Sequence, residues 1–107
     1  MLTKNYSKTG NYCRVTFKLP PEVDAEWAAV CGEFNDWDPE ATPLRALKAG
    51  GFSTTISLET GRSYRFRYLL DGERWENDWQ ADDYVPNAYG GEDSVVNLEQ
   101  PSQDEAA

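Results

Sequence analysis

The sequence predicts an all-β protein, a sandwich of two sheets built from about seven short strands. Three observations support this prediction. Apolar residues alternate with polar ones in several segments, and a period of two is typical of half-buried strands. Gly, Pro and Asp-Gly turn signals separate these segments at short intervals. No segment shows the 3.6-residue periodicity of an amphipathic helix.

The first predicted strand covers residues 13–19 and ends at a pair of prolines, which cannot donate hydrogen bonds to a neighbouring strand. Its apolar face consists of Cys13, Val15, Phe17 and Leu19. The apolar run at residues 27–31 predicts a second strand, which stops at Gly32.

Two longer strands are predicted in the middle of the chain, at residues 52–58 and 64–70, with a turn at 59–62 between them. Their apolar faces consist of Phe52, Ile56 and Leu58, and of Tyr64, Phe66, Tyr68 and Leu70. A short strand at residues 44–47 is expected before the glycine-containing turn at 49–51.

Asp71-Gly72 is the strongest turn signal in the sequence. Both residues tolerate the positive φ of a type I′ turn, so the chain should double back through Arg74 and Trp75. A last strand is predicted at residues 94–98, after a long polar loop. Short strands at this density indicate an immunoglobulin-like sandwich.

The chain has 107 residues, which is enough for one domain. We expect a flexible N-terminus at residues 1–10, the sandwich at 11–98 and a disordered acidic tail at 99–107, which lacks large apolar residues. Nothing indicates a linker or an internal repeat, so a stand-alone module is expected. The first ten residues are too polar for a signal peptide, and no apolar run could span a membrane. A cytoplasmic location is therefore expected.

The charge balance restricts the possible partners. The formal net charge is −9, from 19 acidic and 10 basic residues, and no run of Lys or Arg is present, which argues against nucleic acid and anionic membranes. The sequence contains no histidine, which removes Ser-His and Cys-His nucleophiles and a common metal ligand. The acids Asp36, Asp38 and Glu40 lack the order of a calcium-binding EF-hand loop. We expect no cofactor and no metal, and a neutral or basic partner.

The two cysteines lie in apolar strand segments rather than in a Cys-x-x-Cys pair. Free, buried thiols are the favoured interpretation. A disulfide stays open as the alternative, because a hairpin turning near residues 20–24 would bring Cys13 and Cys31 together.

Aromatic residues outside the regular strand pattern carry the functional signal. Exposed rings in loops and turns stack on the apolar C–H face of a glucose unit, while polar side chains around them bind its hydroxyls. The residues in question are Trp37, Trp75, Trp79, Tyr84 and Tyr89. We expect Trp79 and Tyr84 to be structural residues that fill the ends of the sandwich. Phe17, Phe52 and Phe66 alternate within strands and are expected in the core.

Two motifs resemble a known family. The segment Gly32-Glu33-Phe34-Asn35-Asp36-Trp37 and the segment Tyr64-Arg65-Phe66-Arg67-Tyr68, followed by Asp71-Gly72 and Trp75, resemble those of carbohydrate-binding module family 48 in order and spacing. This family includes the glycogen-binding domain of the AMP-activated protein kinase β subunit and the N-terminal domains of isoamylases and branching enzymes. The resemblance spans residues 15–98. It implies an early-set immunoglobulin-like sandwich that binds α-1,4-linked glucose without catalysis, with glycogen, starch or a maltooligosaccharide as the partner.

The resemblance also implies five binding residues. Trp37 and Trp75 match the two tryptophans of the family's sugar platform, although one extra residue precedes Trp75 here. Arg67 matches the basic residue that reaches the sugar hydroxyls, which is a lysine in the kinase domain. Tyr89 and Asp93 stand where the kinase domain has a leucine that projects into the ligand and an asparagine.

Other functions compete with sugar binding. The kinase domain's threonine contact is missing at Gly91, and domains of this family attached to amylase-type enzymes often serve in packing without clear sugar binding. A second alternative is a protein-interaction or regulatory module that docks on a glucan-metabolising enzyme or a kinase-like partner, using Arg65, Arg67 and acidic loops. Glycoside hydrolysis needs paired carboxylates flanking the sugar, and no sequence feature pairs the loop acids, so no enzyme activity is expected. These loop acids are Glu33, Asp36, Asp38, Asp82 and Asp83.

Overall fold

The computed structural model describes residues 2–99, in which nine strands form two antiparallel sheets. The strands are β1 (Leu2–Tyr6), β2 (Tyr12–Leu19), β3 (Ala28–Gly32), β4 (Arg45–Ala46), β5 (Phe52–Glu59), β6 (Ser63–Leu70), β7 (Arg74–Glu76), β8 (Asp83–Pro86) and β9 (Glu92–Asn97). Single turns of 3-10 helix, Pro21–Val23 and Glu33–Asn35, lie on either side of β3. The predicted all-β, immunoglobulin-like sandwich is confirmed.

One sheet has four strands in the order β1-β2-β5-β4. Strands β2 and β5 pair over their whole length, from Tyr12 opposite Glu59 to Leu19 opposite Phe52. The alternation predicted for β2 is present, because Cys13, Val15, Phe17 and Leu19 are buried between more accessible neighbours. One face of this sheet therefore packs into the core, and the other faces solvent.

The second sheet has five strands and is centred on β6. Strand β3 lies along one edge of β6, while β9 pairs with its first half and β7 with its last three residues. Strand β8 lies outside β9. Strand β3 pairs with residues 66–70 of β6, and β7 pairs with residues 68–70, so β7 must lie on the other edge of β6. Strand β9 lies along that same edge, beside residues 63–66. This brings the Asp71-Gly72 hairpin and the β8–β9 turn to one sheet.

The core lies between the two sheets and is rich in aromatic rings. Phe17 of the four-stranded sheet meets Phe66 of the five-stranded sheet edge to face, with ring centres 5.1 Å apart. Phe34 packs beside Phe17 at 5.5 Å, and Tyr68 beside Phe66 at 5.7 Å. Each such buried apolar side chain contributes roughly 1.5–3 kcal/mol of transfer free energy, so this cluster supports the sheet on which the outer side chains stand.

A buried polar cluster anchors the segment that follows β7. The hydroxyl of Tyr68 donates a hydrogen bond to Oδ2 of Asp78 at 2.7 Å, and the backbone N–H of Asp78 donates to Oγ of Ser94 at 2.8 Å. Burial, together with the nearby Asp78 carboxylate, raises the pKa of Tyr68 well above its ordinary value. The phenol therefore stays protonated and keeps its role as a donor.

Two strands were not predicted from the sequence. Leu2–Tyr6 lies in the segment expected to be a flexible N-terminus, yet it forms β1, because its backbone pairs with β2 residue by residue from Leu2↔Phe17 to Tyr6↔Cys13. Nζ of Lys4 lies 2.7 Å from Oδ2 of Asp82 and donates to the carbonyl of Asn97 at 3.1 Å, so this strand also joins the two sheets. Strand β8 lies within the stretch interpreted as a polar loop.

The two thiols are free, as the favoured interpretation had it. Cys13 is on β2 in the four-stranded sheet and Cys31 is on β3 in the five-stranded sheet, so the hairpin that would join them is not formed. Both side chains are buried, and burial is the main cause that raises the pKa of each thiol above its ordinary value. Both thiols are therefore protonated at neutral pH.

The predicted acidic tail at residues 99–107 lies outside the described residues except for Glu99. Within residues 2–99, the structure contains no helix that is long and apolar enough to cross a membrane.

Candidate functional site

The outer face of the five-stranded sheet carries the candidate site. In β6, Phe66 and Tyr68 point into the core, so the alternation of side chains turns Arg65, Arg67 and Leu69 outward. The residues that pair with these three share the same face, namely Val95, Cys31, Ala29 and Trp75. Asp93 precedes Val95 by two residues and occupies the neighbouring outward position of β9.

The loop after β3 explains why the Gly-x-Phe-Asn-x-Trp segment needs its glycine. A Cβ added at Gly32 would lie 2.5 Å from the carbonyl oxygen of Arg65 and 2.8 Å from Cβ of Phe66, so only glycine allows this approach to β6. Phe34 then turns inward against Phe17. The motif therefore fixes the loop to both sheets.

Asn35 holds this loop with its side-chain amide. Oδ1 accepts a hydrogen bond from the N–H of Gly32 at 3.0 Å, while Nδ2 donates to the carbonyl of Val30 at 3.0 Å and to Oγ1 of Thr42 at 2.9 Å. Asp36 and Trp37 both have a left-handed backbone, with φ of 57° and 59°. Non-glycine residues adopt this conformation at a cost, and it recurs at binding sites. Here it reverses the chain.

The reversal lays Trp37 on the outer face of the sheet. Its indole packs against a small apolar group formed by Ala29, Cys31 and Leu69, and the ring is half-buried. Its backbone N–H donates to the carbonyl of Gly32 at 2.9 Å. One side of the ring is therefore supported by the sheet.

Trp75 reaches the same face from the Asp71-Gly72 hairpin. Asp71 and Gly72 have φ of 54° and 73°, and the N–H of Glu73 donates to the carbonyl of Leu70, as the turn prediction required. Trp75 pairs with Leu69 and its side chain is 45% exposed. The hairpin thus presents an open indole beside the supported one.

Arg67 joins the two tryptophans. Its guanidinium carbon lies 5.0 Å from the ring centre of Trp75 and 6.0 Å from that of Trp37, both within the range of cation–π attraction. Since one planar cation touches both rings, the two indoles lie on one surface, which is the arrangement a sugar platform needs. Neither ring is sunk into the sandwich interior.

Asp93 sits beneath this group and is bound within the protein. Its side chain is 7% exposed, with Oδ1 3.2 Å from Nε of Arg67 and Oδ2 3.9 Å from a guanidinium nitrogen of Arg65. The buried Nε–H has no hydrogen-bond acceptor within residues 2–99, so the short contact with Asp93 is an ion pair without hydrogen-bond geometry. Asp93 is therefore placed to hold the two arginines, and it has little contact with solvent.

Tyr89 lies on the turn between β8 and β9, at the edge of the five-stranded sheet. Its side chain is 90% exposed. Together with Trp37, Arg67, Trp75 and Asp93, it lines a single cavity of about 490 Å³. All five residues predicted to bind sugar are thus brought together.

Four further residues line the same cavity and were not predicted to bind sugar: Glu33, Arg65, Asn87 and Ala88. Oε1 of Glu33 accepts a hydrogen bond from the backbone N–H of Arg65 at 2.9 Å and lies at the rim. Glu33 stands within the first motif, which was its signal, whereas strand parity was the signal for Arg65, one alternation before Arg67. Asn87 lay in a stretch without a strand prediction and had no such signal.

Other exposed aromatics lie outside this cavity. Trp79 is 58% exposed, which corrects the expectation that it fills an end of the sandwich. The side chain of Tyr84 is also exposed, at 37%, although its hydroxyl donates to the carbonyl of Asp78. A larger but more open depression beside the hairpin is lined by Trp27 and four acidic residues. Within residues 2–99, no group of three or more acidic or cysteine side chains is arranged to hold a metal ion.

A family comparison agrees with this geometry. The family model described as the glycogen recognition site of AMP-activated protein kinase matches residues 13–106. No curated protein matches the chain. The family model covers nearly the whole sandwich, including both motifs and every residue of the cavity. The chain therefore belongs to this family of glycogen-recognition carbohydrate-binding modules, which bind glycan without acting on it.

Proposed function

We propose that the cavity between Trp37, Trp75 and Tyr89 binds an α-1,4-linked glucan such as glycogen, starch or a maltooligosaccharide. The observation that carries this proposal is the single guanidinium of Arg67 in contact with both indoles on one open face. That contact keeps the rings within reach of neighbouring glucose units.

The rings supply the main attraction. A glucose unit presents C–H groups that lie flat against an indole, and the contact removes apolar area from water on both sides. Because the ligand is uncharged, the net charge of −9 adds no repulsion. Trp37, supported from below, loses little freedom on binding, which reduces the entropic cost.

Arg67 supplies hydrogen-bond donors to the sugar. Its Nε is buried beside Asp93 and cannot reach the ligand, and the guanidinium still has four N–H groups for hydroxyl oxygens. In this role arginine replaces the lysine of the kinase domain with a planar group that stacks as well as donates. Asp93, with its side chain buried, acts by holding Arg67 rather than by accepting a hydrogen bond from the ligand.

Binding is proposed to involve no chemistry on the glucan. The loop acids near the cavity include Glu33, whose carboxylate already accepts hydrogen bonds from Arg65 and Arg62. Hydrolysis requires a second carboxylate about 5–10 Å away across the sugar. Incubation with maltoheptaose should release no shorter sugar, and release would overturn this part of the proposal.

Calorimetric titration with maltoheptaose tests the site. Trp75→Ala should weaken binding by roughly 1–3 kcal/mol, about 5- to 150-fold, with a small change in melting temperature because the ring is open to solvent. Trp79→Ala is the matched control, since it removes an even more exposed indole outside the cavity and should leave affinity unchanged. Equal loss in both variants would contradict the proposed site.

Retention on glycogen separates sugar binding from the docking alternative. The purified chain should be retained and released by free maltoheptaose. If it is not retained but copurifies with a glucan-metabolising enzyme, a protein-docking function replaces the one proposed.

The expected cytoplasmic location agrees with two free, buried thiols, which a reducing compartment would preserve.

A further inference from the structure

We infer that Asn87 is a positioning residue that couples the Tyr89 turn to the arginine of the sugar platform. This inference rests on the proposed function, because it assigns to one amide the geometry of two ligand-facing groups. Asn87 is half-buried at the end of β8, and its side chain contacts the turn on one side and Asp93 on the other.

The oxygen of the amide organises the turn. Oδ1 of Asn87 accepts hydrogen bonds from the backbone N–H of Tyr89 at 2.9 Å and of Gly91 at 3.1 Å. The backbone N–H of Asn87 donates to the carbonyl of Gly91 at 2.9 Å, which closes the loop, and Gly90 supplies a φ of 87° at its tip. Three bonds therefore converge from one residue on the segment that carries Tyr89.

Tyr89 depends on this backbone support. Its ring is 90% exposed, so packing contributes little to its orientation. A mobile turn would have to be ordered when the ligand binds, and that ordering would subtract from affinity. By fixing the N–H groups on both sides of Gly90, Asn87 sets the direction of the ring before the glucan arrives.

The nitrogen of the amide acts on the arginine side. Nδ2 of Asn87 donates to Oδ1 of Asp93 at 3.1 Å, the same oxygen that lies 3.2 Å from Nε of Arg67. Because this carboxylate is nearly buried, each partner that holds it also fixes the position of Arg67. The amide thus reaches both Tyr89 and the cation that touches Trp37 and Trp75.

Only an amide of this length has an acceptor for the turn and a donor for Asp93. Asn87→Asp keeps an oxygen for the N–H groups of Tyr89 and Gly91 but replaces the donor with a second negative charge beside Asp93. Asn87→Ala removes both functions. The two variants therefore separate the two arms of the amide.

The experiment combines calorimetry with maltoheptaose and backbone ¹⁵N relaxation on the folded protein. Asn87→Ala should weaken binding roughly five- to tenfold, the size expected for the loss of two or three hydrogen bonds. The amide of Gly91 should become mobile on the nanosecond timescale. Asn87→Asp should weaken binding several-fold while Gly91 stays as rigid as in the wild-type protein.

A double-mutant cycle with Tyr89→Ala tests the coupling. In the Tyr89→Ala background, Asn87→Ala should cost less affinity than in the wild-type background, whereas the effect of Asn87→Asp should be unchanged. Additive effects of Asn87→Ala and Tyr89→Ala, or a rigid Gly91 in Asn87→Ala, would overturn the inference. If the wild-type protein does not bind maltoheptaose, the proposed function fails, and the relaxation data still decide whether Asn87 holds the turn.

Discussion

The outer faces of the two sheets are built from the same backbone geometry and differ in what their side chains do. On the four-stranded sheet, Thr3, Thr16 and Thr55 stand opposite one another across β1, β2 and β5. The hydroxyls of Thr16 and Thr55 share a hydrogen bond of 2.8 Å. On the five-stranded sheet, the corresponding rows carry arginine and tryptophan, with a buried aspartate.

Cations alone do not distinguish the faces, because Arg14 and Lys18 stand on the outer face of β2 just as Arg65 and Arg67 stand on that of β6. The difference lies in support. Arg67 is held between two rings and a buried carboxylate, and loops on both sides raise the edges into a cavity. A flat face of short hydroxyl side chains offers a glucose unit no ring to stack on. Affinity should therefore follow the aromatic face alone.

The largest expected effect comes from Trp37→Ala. Trp37 both faces the cavity and covers Ala29, Cys31 and Leu69, so its removal takes away a stacking surface and a piece of packing. We expect binding to fall about 5- to 150-fold and stability by roughly 2 kcal/mol, which corresponds to a melting temperature lower by about 10 °C. Calorimetry and thermal denaturation measure the two losses.

Trp75→Ala serves as the comparison for this variant, since it should weaken binding with a much smaller loss of stability. Equal stability losses in the two variants would mean that Trp37 is not the supported ring of the pair.

Asp93→Asn should give the next largest effect. The change keeps the shape of the side chain but removes the charge that faces Arg67 and Arg65, and it leaves a buried guanidinium nitrogen without its ion-pair partner. We expect affinity to fall by roughly 1–2 kcal/mol, about 5- to 30-fold, as measured by titration with maltoheptaose. Asp83→Asn, at an exposed position on the neighbouring strand, is the control. Unchanged affinity in Asp93→Asn would show that Arg67 needs no carboxylate to stay in place.

Much of this arrangement could be predicted from the sequence. Alternation in residues 13–19, 52–58 and 64–70 predicted the strands, and the same parity puts Arg65 and Arg67 on one face. The resemblance to a known family, carried by the two motifs, predicted which residues would form the site. The strand signals are local and periodic, so they can be recognised from the sequence alone.

Other features could not be predicted, because they depend on contacts distant in sequence. Strand β1 has a mixed composition, and its position is decided by pairing with β2 and by the contact of Lys4 with Asp82, 78 positions away. The burial of Asp93 follows from Arg65, Arg67 and Asn87 around it, and the sequence alone gives no sign of these contacts. Trp79 was expected to fill an end of the sandwich, because the sequence does not show that its ring is exposed.

Arg67→Lys should have a smaller effect than Asp93→Asn. Lysine keeps the charge toward Asp93 but lacks the planar group that touches both indoles. We expect affinity to fall about two- to fivefold, or roughly 0.5–1 kcal/mol. Arg65→Lys, one alternation away and 3.9 Å from Asp93, should change affinity less. The reverse order in calorimetric titrations would move the hydroxyl-binding role from Arg67 to Arg65.

The smallest effect is expected on the opposite face, where it sharpens the comparison most. Thr16→Val removes a hydroxyl that bonds Thr55 and keeps a β-branched side chain suited to the strand. Stability should change by less than about 1 kcal/mol, since a net hydrogen bond at a partly exposed site contributes little, and affinity for maltoheptaose should equal that of the wild-type protein. If glucan affinity falls instead, the four-stranded sheet takes part in binding. In that case both faces bind glucan, because a row of threonine hydroxyls without a supported aromatic ring is sufficient to hold a glucose chain.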